Sequence, residues 1–283
     1  TNLYLYSIMQ VASSKISFLR PNPRKPELPL FVFLSAMDGT GKLLRSQLSR
    51  LSTAFDIRCL SIPQNDLSTW DQLSEKTINL IKIEQEAAPK RPVYLCGESF
   101  GGCLALKVAL NTPELLDKLI LVNSATSFSQ QPIVKYGSYL TQYLPTYLYR
   151  LSVAATLPFL GALGQIEPEE RQALLRAMQS VSQHSAIWRL GLMRSFEVKK
   201  NELKNFPKST LIIASAADRL LPSVSQAKFL VKYLPKAQMV ILPNSGHACL
   251  LEADVDLYEI IRGQWGSNLV ELETDKVSAQ LNI

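Results

Sequence analysis

The sequence predicts an α/β fold: a mostly parallel β-sheet covered by helices on both faces, with a helical cap inserted into it. Three observations point there. Short, wholly apolar runs such as Leu30-Phe31-Val32-Phe33-Leu34 alternate with helix-length segments, the pattern of parallel strands buried on both faces. Ser99, Asp218 and His247, the side chains with the most evident chemistry, each follow such a run, and parallel sheets meet their ligands at the carboxyl ends of the strands. The interval between the run ending near Val122 and the run starting near Leu211 is far longer than one crossover helix requires.

Taken in order, the Pro-rich stretch 20–29 cannot continue a helix and delivers the chain into the strand 30–34. The loop Ser35-Ala36-Met37-Asp38-Gly39-Thr40-Gly41 opens a helix to about residue 51, and a strand over 55–63 follows. Ser68, with Asp71 three residues on, is placed to cap a helix reaching about residue 88. Runs at 93–96, 119–122, 211–214 and 239–242 complete the sheet, with helices over 100–111, 224–234 and 255–263. Residues 1–20 are expected to lead against the core as a strand or helix, and the polar tail 267–283 to be peripheral. The expected division is a core of residues 1–127 and 195–283 and a helical cap of 128–194. In the cap, Tyr136, Tyr139, Leu140, Tyr143 and Leu144 recur at helical spacing, and no Asp or Glu occurs between Lys118 and Ile166.

Composition narrows the function. A chain of 283 residues, 47% hydrophobic and 19% charged, reads as globular, with room for one α/β domain and an inserted subdomain. Its net charge of +6 comes without a basic run interleaved with aromatics, so no nucleic acid partner is expected. Cys59, Cys96, Cys103 and Cys249 lie in or beside apolar segments without metal-like spacing and read as reduced core thiols. Two histidines and no HExxH motif leave too few ligands for a metal hydrolase, so neither metal nor cofactor is expected. No apolar stretch reaches the roughly 18 residues of a membrane span, and no secretory cleavage pattern is present. The expected location is the cytoplasm or the surface of an internal membrane, not the exterior.

The chemistry centres on Gly97-Glu98-Ser99-Phe100-Gly101, which joins the run at 93–96 to a helical segment. A serine on such a sharp strand-to-helix turn stands clear of neighbouring side chains, and small glycines are needed where strand and helix approach. A hydroxyl is a weak nucleophile until a base takes its proton. His247, on a loop after a strand, is the better base; His184 lies in the insertion and reads as a surface or packing residue. Asp218 is the candidate for orienting the imidazole, with Asp254 and Asp256 as fallbacks that look like the first turn of the last helix. The backbone N–H groups of Phe100 and Met37 are the candidate oxyanion donors. A phosphate-cradling loop does not fit, because Gly41-Lys42 is followed by Leu43.

The order Ser, Asp, His along the chain is similar to that of the α/β-hydrolase fold superfamily, a resemblance extending from about residue 30 to 263. More narrowly, Met37-Asp38-Gly39-Thr40-Gly41, Cys96-Gly97-Glu98-Ser99-Phe100-Gly101-Gly102 and Ser245-Gly246-His247 resemble the hydrolase half of the phytyl ester synthase and diacylglycerol-acyltransferase-like proteins of plastids and cyanobacteria. The resemblance implies a triad of Ser99, Asp218 and His247 and acyl esters of lipid alcohols as substrates. Those proteins commonly read Pro-Gly where this chain reads Ser35-Ala36, and their acyltransferase half with its His-x4-Asp motif has no counterpart after His247. The expectation is therefore a serine esterase acting on small-molecule acyl esters, ahead of transfer to a long-chain alcohol such as phytol and of a non-catalytic binding protein. Peripheral membrane contact through the Tyr/Leu face of the cap accompanies that expectation.

Overall fold

Seven strands form one sheet in the order β1-β3-β2-β4-β5-β6-β7: β1 (Ser17–Leu19), β2 (Leu30–Leu34), β3 (Asp56–Ser61), β4 (Val93–Glu98), β5 (Lys118–Val122), β6 (Ser209–Ser215) and β7 (Ala237–Leu242). All neighbours are parallel except β1, which runs antiparallel to β3 at the edge. The computed structural model describes residues 15–266, so the expectations for most of the leading segment and for the tail 267–283 lie outside the described residues.

The apolar runs become strands because both of their faces are covered. In β2, Leu30, Val32 and Leu34 face one core, while Phe31 and Phe33 face the other. The first core is filled by α2 (Trp70–Ala87), α3 (Phe100–Asn111) and α10 (Ser223–Tyr233). The second is filled by the short α1 (Leu48–Leu51) and by α11, described over 257–266, through Leu257, Ile261 and Trp265. This period-2 division of an unbroken apolar run is what a parallel sheet between two helical layers demands. β7, at the other edge, is only partly buried.

Between β5 and β6 the chain forms α4 (Pro132–Leu140), α5 (Thr146–Ala155), α6 (Leu157–Leu160), α7 (Pro168–Ser180), α8 (Gln183–Arg194) and α9 (Lys200–Lys204). Residues of α6 and α7 pack with Leu43, Ala248 and Leu251, on loops at the carboxyl end of the sheet.

Two local expectations change. The helix after Gly41 is a 3-10 turn, Arg45–Gln47, followed by the four residues of α1. The cap of α2 is Thr69, one residue beyond Ser68: Thr69 Oγ1 accepts from Gln72 N–H at 3.3 Å, and Gln72 Oε1 accepts from Thr69 N–H at 2.9 Å. Ser68 is drawn out of that role because its Oγ accepts from Lys76 Nζ at 2.6 Å, while its N–H donates to Asp66 Oδ1 at 2.9 Å.

One edge of the sheet is fastened by buried charge. Arg58 on β3 donates to Asp56 at 2.7 and 3.0 Å and to Glu84 of α2 at 2.9 Å, and Arg91 reaches the same two carboxylates at 2.7 and 3.2 Å. Burial works to raise the pKa of both acids, but the guanidinium contacts prevail and hold each below its usual range. Removing one partner strands the other charges, so Arg58→Met is expected to cost about 3 kcal/mol at neutral pH, read as a lower urea midpoint. Depressed carboxylates contribute fully above their ordinary pKa values, and the contribution fades as pH falls through the depressed ones. The gap between parent and variant should therefore narrow progressively below about pH 4; an unchanged gap at pH 2 would show that packing rather than charge holds this edge.

Candidate active site

Ser99 stands at the junction of β4 and α3 with φ +52° and ψ −113°, a backbone region that side chains rarely adopt. The surrounding close packing imposes it. A Cβ on Gly97 would lie 2.2 Å from the Gly101 carbonyl oxygen, and one on Gly101 would lie 2.0 Å from that of Leu34. The strained residue is held on both sides, since its N–H donates to Val122 O at 3.0 Å and its carbonyl accepts from Ala125 N–H at 3.0 Å.

The structure brings the three predicted side chains together. Ser99 Oγ lies 2.8 Å from His247 Nε2, and His247 Nδ1 lies 2.8 Å from Asp218 Oδ2. Asp218 Oδ1 accepts from the N–H groups of Leu220 and Leu221 at 2.8 and 2.9 Å, and Oδ2 also accepts from the Ser223 hydroxyl. Burial pushes the Asp218 pKa up, but His247 and these donors outweigh it, so the carboxyl stays below its usual range. An ionised Asp218 fixes the imidazole with its proton on Nδ1 and its Nε2 lone pair toward the serine. The other acids are used elsewhere: Asp256 pairs with Arg50 at 3.2 Å and caps Glu259 N–H at 3.0 Å, and Asp254 is exposed. His184 is exposed on α8. Cys103, one turn into α3, is fully buried and its thiol pKa is pushed up by burial, so it is packing.

Met37 lies on the loop after β2, whose turn is closed by Gly39 N–H donating to Ala36 O at 3.0 Å, with Gly39 at φ +66°. Among the described residues, no backbone or side-chain acceptor takes the N–H of Met37 or Phe100. Asp38 is buried; its Oδ2 accepts from Thr40 N–H at 2.8 Å and from the Thr40 hydroxyl, whereas Oδ1 has no partner. Burial raises its pKa despite those bonds.

A cavity of about 420 Å³ opens above Ser99 and His247. Met37, Asp38 and Glu98 line its base, and Leu160, Leu174, Met178, Val181, Leu190 and Met193 its upper walls. The walls thus come from the helices between β5 and β6, and they are apolar, as a site for a hydrocarbon group requires. Glu98 is buried at the base, and burial, together with the nearby Asp38 charge, lifts its pKa to about 7 against the pull of His247.

Two residues that sequence reading passed over support this site. Asn123, at φ +40° just after β5, accepts from Ser215 N–H at 2.8 Å through Oδ1 and donates through Nδ2 to Ser215 Oγ and His247 O, each at 2.8 Å. It ties the ends of β5 and β6 to the His247 loop. Its signal was an amide closing an apolar run, a residue type that tolerates left-handed backbone and offers donor and acceptor at once. Arg189 of α8 is 2% exposed and bonds the loops after β2 and β3. Its signal was position: Ser185, Ala186, Arg189, Leu192 and Met193 are the buried stripe of α8, so a charge sits in the apolar phase of the helix.

Residues 63–254 match the family described as serine aminopeptidase, S33. Phytyl ester synthase 1, chloroplastic, from Arabidopsis thaliana is 30% identical over 259 residues, which cover 84% of this chain and 37% of the plant protein; the chain thus spans little more than a third of that relative's length. Pimeloyl-(acyl-carrier protein) methyl ester esterase from Nitrosomonas europaea is 26% identical over 213 residues, 71% of this chain and 81% of that one. A thermophilic esterase from Thermogutta terrifontis superposes with a TM-score of 0.71 at 17% identity, covering 90% of this chain and 93% of the other. Sheet order, strand-to-helix serine turn and family match agree: this chain belongs to the serine aminopeptidase S33 family of hydrolases and has the α/β-hydrolase fold.

Proposed function

We propose that the protein cleaves acyl esters through an acyl-enzyme on Ser99. The observation that carries this reading is the unbroken line from Ser99 Oγ through His247 to Asp218 at the base of an apolar cavity. Ser99 Oγ attacks the ester carbonyl while His247 Nε2 takes its proton, and the carbonyl electron pair moves to oxygen. The N–H groups of Phe100 and Met37 stabilise that oxyanion. Collapse expels the alcohol, which receives the proton from His247, and water repeats the sequence to release the acid. Asp218 stays ionised throughout and stabilises the imidazolium. The helices over 128–194 act as a cap whose apolar side chains hold the acyl chain. The names of the relatives, an ester synthase and an ester esterase, support ester chemistry.

A second reading, transfer of the acyl group to a long-chain alcohol such as phytol, is favoured by the same apolar walls, which keep water scarce beside the acyl-enzyme, and by the synthase relative. Product analysis with an acyl donor and added phytol separates the two: free acid alone supports hydrolysis, and phytyl ester supports transfer.

The outer side of the cap supports contact with a lipid surface. Tyr136, Leu140, Tyr143, Tyr147, Leu151 and Phe159 are all exposed, and the segment carrying them lacks acidic residues while Arg150 is exposed among them. Aromatic and aliphatic side chains without negative charge suit the interface of an anionic bilayer. Among the described residues no helix is long and apolar enough to cross a membrane.

Three outcomes test these readings. With 4-nitrophenyl esters of increasing chain length, the parent should hydrolyse medium and long chains and react with a fluorophosphonate, and Ser99→Ala should lose at least about 10⁴-fold in kcat and all labelling; retained labelling would place the nucleophile elsewhere. Tyr143→Glu with Leu151→Glu should abolish flotation with phosphatidylglycerol vesicles, and equal recovery of parent and variant would remove the lipid-surface reading. The carboxyl of Glu98 is raised from 4.5 to about 7, so the folded state holds a proton the unfolded chain has released, and stability falls as pH rises through that window. Glu98→Gln should remove this decline, worth on the order of 3 kcal/mol, in urea titrations at pH 5 and pH 8; the same slope in both proteins would contradict it.

A further inference from the structure

The guanidinium of Arg189 belongs to a helix between β5 and β6 yet spends its hydrogen bonds on the core. Nη1 donates to Met37 O at 2.7 Å and to Asp38 O at 3.0 Å, and Nη2 donates to Pro63 O at 3.2 Å and Ile62 O at 3.4 Å. One planar group thereby joins the loop after β2 to the loop after β3. The two loops also meet directly, Ile62 N–H donating to Gly39 O at 2.8 Å. Gly39 is built for this contact as well as for its left-handed backbone: a Cβ there would lie 2.7 Å from Arg189 Nη1. Among the described residues no carboxylate is bonded to the buried cation, so backbone carbonyls supply its hydrogen bonds, and the nearby Asp38 and Asp66 offset part of its burial penalty.

Resting on the esterase reading, we infer that Arg189 is a positioning residue that sets the oxyanion hole and couples it to the cap. A guanidinium fork grips two carbonyls per edge in a fixed plane, which a freely rotating ammonium cannot do. The Met37 N–H shares its peptide plane with the Ala36 carbonyl, which Gly39 N–H holds at 3.0 Å; by gripping the next two carbonyls, those of Met37 and Asp38, Arg189 keeps this turn closed and the Met37 N–H beside the cavity that Met37 lines. Any displacement of α8 withdraws the guanidinium and lets that N–H turn away, so the hole is complete only while the cap is seated. The contribution falls on the step in which charge develops on the carbonyl oxygen, not on ground-state binding.

A matched pair of ketones reads this directly. Ser99 Oγ adds to an alkyl trifluoromethyl ketone, forming a C–O bond, its proton passing to His247 and the carbonyl electron pair becoming an oxyanion in the hole; the corresponding methyl ketone binds without adding. Arg189→Met is expected to weaken trifluoromethyl ketone inhibition by about 10- to 100-fold and to lower kcat for 4-nitrophenyl butyrate similarly, with KM and methyl ketone inhibition within about twofold of the parent. Arg189→Lys, which keeps charge and stem but not the fork, should show the same split, and it decides the matter if Arg189→Met does not fold. Equal weakening of both ketones, or of neither, would overturn the inference. Failure of the underlying esterase reading looks different: the parent and Ser99→Ala would then bind the trifluoromethyl ketone equally.

Discussion

The contact between β4 and α3 at Ser99 is the constraint on which the rest of the structure depends. Leu34, Gly97 and Gly101 approach so closely that a single methyl group on either glycine would meet a backbone oxygen at about 2 Å. That crowding turns the chain through a left-handed serine and leaves its hydroxyl standing above the sheet. It also places the first N–H of α3 beside the hydroxyl, so that the proposed nucleophile and one proposed oxyanion donor are consequences of one bend. The strain is met by two backbone hydrogen bonds from neighbouring segments, one on each side of the residue.

Around this bend two buried polar side chains, Asn123 and Arg189, act as fasteners for backbone. Asn123 holds the ends of β5 and β6 and the carbonyl of His247; Arg189 holds two loops of the core from a helix outside it. Each satisfies carbonyls or N–H groups that loops at a strand's end would otherwise leave to water. The cavity beside them can consequently be apolar without leaving the loops at the sheet's carboxyl end unsupported. Leu, Met and Val form its walls, while Asn123 and Arg189 hold the adjoining loops by hydrogen bonds.

Much of this was legible in the sequence because the signals were local and doubly constrained. Unbroken apolar runs of four or five residues bounded by turn residues fit strands covered on both sides, and β2, β4, β5 and β6 lie where such runs occur, whereas β3 is interrupted by Asp56 and Arg58. The glycine spacing around Ser99, and the positions of Asp218 and His247 just beyond strands, put the three side chains at one end of the sheet, where they meet at hydrogen-bonding distance. What stayed hidden depended on partners distant in sequence. Ser68 reads as the helix cap until Lys76 engages its hydroxyl and Thr69 takes the role. Arg189 is one more charged residue on an amphipathic helix until the loops after β2 and β3 present their carbonyls to it. The raised pKa of Glu98 arises from burial beneath a cavity and from Asp38, neither of which a run of letters displays.

The order of these pieces along the chain has a consequence for the newly made protein. β4, Ser99 and the bend into α3 precede the long helical segment, whereas β6, Asp218, β7 and His247 all follow it. Pairing β6 with β5 closes a large loop and must await synthesis of everything between them. A nascent chain therefore carries the Ser99 hydroxyl with no imidazole near it until β6, β7 and the His247 loop dock.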